Sequence, residues 1–323
     1  MRGQFETSPQ SPETEWVPSV RSRDQWPDGD RVLNDPALDE VLRREGWVRL
    51  PGIQLDSDSC ARLRGFFLDR FPADRTGFHN DFFLPDLTFR REASKVMHEE
   101  MGGMERTWMS GFTPFLYTYL AKFSGDRSTL EEHRDWMYVD ELSGDRSYII
   151  YVALDDATDS NGMVRVVPRS HLLPGGPCGT KAIWPWLRFR DELRARSVAV
   201  PLKAGEAAIW DNRLIHMSFD NNSATPRLAV GMWCHRSGGS LVHFARTESG
   251  YLQFDVDEQF FLEETPALLY SRNPSRPVTR NFECQLDGIE EEALRGLLDG
   301  TTQTPPVEML HDLVDEIETA TDE

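Results

Sequence analysis

The feature that most constrains this chain is a spaced set of polar residues: His133-Arg134-Asp135, then His216, then Arg227. His133 and Asp135 stand two apart. On a strand, residues i and i+2 share a face, so both side chains can reach one ion. On a helix they would diverge by about 200°. The flanking strand signals favour the first case, and the fold must then bring a distant His216 opposite the pair. Two imidazoles and one carboxylate suit non-haem Fe(II) in an oxygenase, because they fill one face of the metal and leave other positions open. Arg227 adds a fixed cation for the far carboxylate of a keto-acid cosubstrate.

Other readings of the same residues are weaker. A single histidine is more often a packing or surface residue, and His79, His98, His235, His243 and His311 are read that way. His-Arg-Asp also opens the kinase catalytic loop, but the Asn needed five residues after the Asp is Asp140 here. There is no Gly-rich phosphate loop and no Asp-Phe-Gly, so the kinase reading fails. A zinc hydrolase on these ligands would want a neighbouring carboxylate base, and only Glu132 and Asp140 are near in the motif. A non-catalytic jelly-roll binding protein is the remaining rival, and an intact ligand set with Arg227 argues against it.

A chain of 323 residues with a net charge of −19 can bury a large core but offers no basic surface. That charge argues against nucleic acid and anionic membranes as partners. No apolar run is long enough to span a membrane. Residues 1–30 lack the apolar stretch of a signal peptide and read as a flexible N-terminal arm, with Trp16 and Trp26 as possible docking points. The expected compartment is the cytoplasm. Cys60, Cys178, Cys234 and Cys284 are widely spaced and read as free thiols.

Helices are expected over 36–47, 56–71, 89–101, 114–124, 288–299 and 306–318, with a short strand at 48–50. Strands are expected at 147–154, 163–167, 198–202, 207–210 and 227–233. Asn161-Gly162 reads as a turn that needs positive φ. Short strands between helical flanks indicate a mainly β fold of the sandwich or jelly-roll kind. The expected division is the arm at 1–30, a catalytic domain at 31–285, and a helical extension with an acidic tail at 286–323.

The segment Leu154-Asp155-Asp156 to Asn161-Gly162, followed by Val164-Arg165-Val166-Val167-Pro168-Arg169-Ser170-His171, resembles the phytanoyl-CoA dioxygenase family. Gly205-Glu206-Ala207 through Trp210-Asp211 to His216 continues the likeness, and Arg227 follows His216 by eleven residues as in that family. The resemblance spans roughly residues 35–265. It implies a cupin-like double-stranded β-helix and an oxygenase using Fe(II), 2-oxoglutarate and O2. It implies His133, Asp135 and His216 as metal ligands, and Arg227 and Ser218 as contacts of the cosubstrate. Tyr151 falls where family members carry a large aromatic residue near it. Some members add an upstream lysine or polar contact, which has no assigned position here. Ser170-His171 are read as structural turn residues.

The expected reaction is hydroxylation of an unactivated C–H of a small natural-product, amino-acid or lipid-like molecule, with release of succinate and CO2. Desaturation or cyclisation on the same iron site is the alternative. Asp135 disfavours halogenation, since related halogenases replace the carboxylate with a small residue. The acidic composition disfavours acyl-CoA, although arginines within 188–196 could form a local basic patch. Residues 74–88 and 172–197 combine aromatics with Pro and Gly and are expected to cover the site as a mobile lid, with Phe82 and Trp186 touching substrate. The oligomeric state is not legible.

Overall fold

Ser147–Ala153 is buried at every position, and its side chains divide between two cores. Tyr148, Ile150 and Val152 enter one core, while Ile149, Tyr151 and Ala153 enter the other. Successive strand residues point to opposite faces, so a strand covered on both sides needs such a run. Ala207–Asp211 and Arg227–Arg236 are also buried almost throughout and flank it in the same sheet.

The computed structural model describes residues 14–17, 31–71, 75–173, 175–182, 184–284 and 291–300. Its first strands are β1 (Thr14–Val17), β2 (Trp47–Arg49), β3 (Phe78–Asn80), β4 (Phe112–Lys122) and β5 (Leu130–His133). Then come β6 (Ser147–Ala153), β7 (Val164–Val166), β8 (Val198–Ala199), β9 (Ala207–Asp211) and β10 (His216–Ser218). The last are β11 (Arg227–Arg236), β12 (Leu241–Arg246), β13 (Tyr251–Val256) and β14 (Arg280–Cys284). The helices are α1 (Pro36–Glu45), α2 (Ser57–Leu68), α3 (Leu87–Met101) and α4 (Met104–Trp108). They continue with α5 (Arg190–Arg196), α6 (Glu258–Glu263), α7 (Pro266–Ser271) and α8 (Glu291–Asp299).

The fold is a double-stranded β-helix of the jelly-roll, cupin-like kind, mainly β with flanking helices. A six-stranded antiparallel sheet runs β2-β9-β6-β11-β4-β3, and a smaller sheet runs β5-β10-β7-β8. One core lies where α1, α2 and α3 pack on the large sheet, through Leu42, Leu63, Phe67 and Met97 against Tyr119, Ile150 and Val230. The other joins residues of both sheets, with Ile149, Tyr151, Trp210 and Trp233 meeting Val166. Asp35 caps α1 by accepting from the amides of Ala37 and Leu38, and Asp86 caps α3 through the amide of Phe89.

Three expectations are corrected here. Residues 114–124 do not form a helix; 114–122 belong to β4, which pairs with β11 from Arg227–Lys122 to Arg236–Phe112. A strand buried on both faces is a continuous apolar run, which periodicity alone does not separate from a buried helix. The aromatic and β-branched content of Thr113, Tyr117, Thr118 and Tyr119 is what favours the strand. Within the expected flexible arm, Thr14–Val17 forms a strand parallel to β14. The sequence from Asp211-Asn212 to His216 reads as a turn followed by a strand ending in that histidine, but the strand begins at His216.

β12, β13, β14, α6 and α7 have no counterpart among the expected elements. The expected helix over 306–318, Trp26, His311, Pro72 and Pro174 lie outside the described residues. Among the described residues, no helix is long and apolar enough to cross a membrane, and no cysteine is disulfide-bonded.

Candidate metal centre

β10 lies between β5 and β7 in the small sheet. Its antiparallel register sets His216 directly opposite His133 on one side and Val166 on the other. Asp135 follows the end of β5, where its amide donates to the Asn212 carbonyl at 3.2 Å. The turn that delivers β10 is held by a buried ion pair. Arg213 donates from Nε to Asp211 Oδ1 at 3.1 Å and from Nη2 to Oδ2 at 2.9 Å. Burial opposes ionisation of Asp211, but the Arg213 charge outweighs it and holds the carboxyl at about 2. Arg134 alternates away from the ligands and donates to the carbonyls of Ser170 at 2.7 Å and Leu173 at 2.9 Å. Ser170 Oγ accepts from the Ile215 amide at 2.7 Å. The Ser170-His171 turn thus braces both ligand strands.

The three side chains converge. One donor atom each from His133, Asp135 and His216 lies within 4.8 Å of the other two. The imidazole rings of His133 and His216 are 4.2 Å apart between centroids, and His216 Nε2 is 3.8 Å from Asp135 Oδ1. Each Nδ1 is already committed: His133 donates to the Glu131 carbonyl at 2.7 Å and His216 to the Leu214 carbonyl at 3.0 Å. That fixes the tautomer and leaves the Nε2 lone pairs for an ion. Trp233 Nε1 donates to Asp135 Oδ2 at 3.1 Å, which orients the carboxylate and leaves Oδ1 toward the histidines. Burial, reinforced by His216, pushes His133 down to about 4, and burial alone does the same to His216. Both rings are therefore neutral at physiological pH, the state a metal requires. Burial raises Asp135, and a divalent cation would offset that cost. The donor set fits Fe(II).

A second polar cluster sits at the far end of the same cavity. Arg227 is buried at 2% exposure and donates from Nη1 to the Tyr151 hydroxyl at 2.5 Å. Its Nε has no partner, and no carboxylate of the described residues neutralises it. Lys122 stands opposite Arg227 in the β4–β11 register and is fully buried. Lys122 Nζ donates to Ser218 Oγ at 2.8 Å and to the Ser128 carbonyl. Burial lowers Lys122 to about 7, and the Arg227 charge adds to the shift. Gly162, at φ 69°, makes room for this lysine: a Cβ there would lie 2.7 Å from Lys122 Cε and 2.4 Å from the Phe219 carbonyl oxygen. A buried guanidinium with no paired carboxylate, beside a lysine whose charge Asp220 only partly supports, makes a site for an anion.

The structure therefore brings together His133, Asp135, His216, Arg227, Ser218 and Tyr151 around one cavity of about 210 Å³. Phe82 lines it, while Trp186 does not; Trp186 is buried among Val167, Leu173 and Leu193, and Trp184 takes the wall position. Sequence reasoning missed Lys122, Asn80 and Trp233. Lys122 is one of only four lysines and ends an otherwise apolar strand, which is the signal that could have found it.

The segment around Phe82 is anchored as a wall of the cavity. β3 pairs with β4, Asp81 Oδ1 accepts from the Tyr119 amide at 2.7 Å, and α3 begins at Leu87. The arginines of α5 form no free basic patch: Arg190 and Arg194 pair with Glu131 and Glu132, and Arg196 pairs with Glu192 and Asp299.

The profile of the family Phytanoyl-CoA dioxygenase (PhyH) matches residues 43–229, more than half of the chain. No curated protein matches the sequence. Among solved structures, AviO1 from Streptomyces viridochromogenes Tue57 is 22% identical with a TM-score of 0.46, over 65% of this chain and 98% of that one. The non-heme alpha ketoglutarate dependent carbocyclase SnoK from nogalamycin biosynthesis is 17% identical with a TM-score of 0.49, over 65% of this chain and 86% of that one. EctD from S. alaskensis is 19% identical with a TM-score of 0.45, over 71% of this chain and 85% of that one. The family match takes in both ligand strands and Arg227 together, and the chain belongs to the phytanoyl-CoA dioxygenase family of Fe(II)- and 2-oxoglutarate-dependent oxygenases.

Proposed function

We propose that this oxygenase hydroxylates an unactivated C–H of a small organic substrate, with 2-oxoglutarate and O2 converted to succinate and CO2. The observation that carries the reading is the buried Arg227, which lines the same cavity as the His133, Asp135 and His216 donors, with Lys122 opposite it in the β4–β11 register. A metal site alone would suit hydrolysis or storage. A metal site with an uncompensated anion pocket at its far end suits a dicarboxylate that chelates the ion at one end. Iron bound by the three side chains supplies the redox chemistry that activates O2.

The chain's own residues supply the rest. Arg227, held by Tyr151, offers a fixed guanidinium to the distal carboxylate of 2-oxoglutarate. Lys122 and Ser218 add a second donor face. Trp233 holds Asp135, and the two backbone carbonyls hold the imidazoles, so the donor atoms need no rearrangement when the ion arrives. The aromatic walls exclude water. Hydroxylation is favoured because the chain keeps Asp135, which halide-binding relatives lack. We also place the protein in the cytoplasm, where the unpaired thiols of Cys60, Cys178 and Cys234 would stay reduced.

Three outcomes test this. His133→Ala, Asp135→Ala and His216→Ala each lower succinate formation in the presence of Fe(II), 2-oxoglutarate and O2 by roughly 100-fold or more. A variant with parental turnover would be removed from the ligand set.

Arg227→Leu leaves iron affinity near that of the parent but weakens 2-oxoglutarate. Losing one partner of a buried charge pair costs on the order of 2–5 kcal/mol, so affinity falls by about 30-fold or more. Unchanged affinity would move the carboxylate contact to another residue.

Lys122 makes cosubstrate binding pH-dependent. Its folded value lies at about 7 in the free protein, and a bound dianion favours the charged form. Above that pH, binding draws a proton from solvent, so affinity falls as pH rises through about 7. Calorimetry at pH 8 in buffers of different ionisation heat reads this uptake, and Lys122→Met removes it. Proton-neutral binding by the parent would contradict the assignment.

A further inference from the structure

The cavity beyond the metal and anion positions has a composition of its own. Its outer part is lined by Phe82, Phe83, Trp136 and Trp184. Phe82 packs edge-on to both Phe83 and Trp136, at 5.8 and 5.7 Å between ring centroids. Trp184 rests on the buried Trp186 at 5.0 Å. Phe83 lines the cavity and is yet 56% exposed, so the aromatic surface reaches the outside.

No charged group in this part is open to a ligand. The charged residues and histidines lining the cavity are His133, Asp135, His216, Arg134 and Arg227. Four of these belong to the metal and anion positions, and Arg134 points its guanidinium at the Ser170 and Leu173 carbonyls. A carboxylate or phosphate drawn in here would lose its water and gain no partner, which is strongly unfavourable.

Two polar atoms on one wall lack partners. Thr118 is 2% exposed, lines the cavity, and its Oγ1 makes no hydrogen bond. It lies two residues before Leu120 on β4, and Asn80 faces Leu120 across the β3–β4 register. Asn80 accepts from the Phe82 amide through Oδ1, which leaves its Nδ2 donor for a ligand. A buried hydroxyl left unsatisfied is uncommon and marks a place where a ligand atom belongs.

We propose that the substrate is a neutral, ring-bearing and mostly apolar molecule, seated between the aromatic walls with one carbonyl or hydroxyl edge toward Thr118 and Asn80. This rests on the function proposed above and narrows its substrate class. Flat rings suit these walls because aromatic pairs hold their planes and stack with little loss of side-chain freedom. A free amino acid has two charges that this part of the cavity cannot receive. The phosphates of an acyl-CoA have no basic groove beside it, since the nearby α5 arginines are paired with acids.

The test uses the full chain loaded with Zn(II) and 2-oxoglutarate, so that nothing turns over, with ligand binding read by quenching of tryptophan fluorescence. The probes are tetralone, its parent hydrocarbon tetralin, a tetralin carboxylate and palmitoyl-CoA. Binding of 2-oxoglutarate is measured first and separately by equilibrium dialysis. Tetralone should bind about ten-fold or more tighter than the carboxylate. Its advantage over tetralin should shrink by about five-fold in Thr118→Val, the loss of one hydrogen bond. Trp184→Ala should weaken tetralone and tetralin alike. A carboxylate or palmitoyl-CoA that binds as well as tetralone overturns the proposal, as does a protein that binds 2-oxoglutarate but not tetralone. Failure to bind 2-oxoglutarate would instead overturn the proposed function.

Discussion

The antiparallel pairing of β10 with β5 is the contact on which the site depends, because it sets His216 opposite His133. A slip of one residue would turn the histidine to the other face and remove the donor from the cavity. Much of the surrounding structure opposes that slip. The Asp211–Arg213 pair shapes the turn before β10. Ser170 holds the Ile215 amide, and Arg134 reaches from β5 to the same turn. On the outer side, the buried Glu132 is gripped by Arg190 and Arg194 of α5. Glu132 and Arg134 alternate with His133 and Asp135, so each residue facing the ion has a neighbour that anchors the strand behind it. The segment before β8 thus acts on the site through strand position, and Trp184 is its residue that lines the cavity.

Charge is arranged against the average of the molecule. The chain carries a net charge of −19, yet Arg227 lines its central cavity and Lys122 stands opposite it in the β4–β11 register. Burial lowers Lys122 to about 7, with the Arg227 charge adding to the shift and Asp220 opposing it. Burial also keeps both histidines neutral. The free site is consequently poised for one cation at the histidine end and one anion at the other. A chelating dicarboxylate satisfies both ends at once, which net charge alone would never suggest.

The metal set was legible because a two-residue spacing has one meaning on a strand and another on a helix. Arg227 and the turn at Asn161-Gly162 were legible for a similar reason, since fixed spacing and a positive-φ glycine are local signals. Lys122 was not, because the mostly apolar run of 112–121, broken only by Thr113 and Thr118, conceals the period that separates strand from helix. Without β4 as a strand, neither Lys122 nor Thr118 could be assigned to the cavity face. Trp186 and Trp184 show a second limit. They stand two apart around a tight 3-10 turn, and only tertiary packing decides which one is buried. Asn80 lay in a segment read as loop, and its edge-strand role exists only through pairing with β4.

The proposed function requires a single cavity to hold Fe(II) at His133, Asp135 and His216 and the far carboxylate of 2-oxoglutarate at Arg227. A crystal structure of the protein with Fe(II) and 2-oxoglutarate, prepared without oxygen, tests it directly. The expected result is one iron bound by the two Nε2 atoms and by Asp135, with the keto-acid chelating it and its distal carboxylate against Arg227 within reach of Lys122. Iron bound by other residues, or a keto-acid whose distal carboxylate points away from Arg227 into the aromatic part of the cavity, would contradict it.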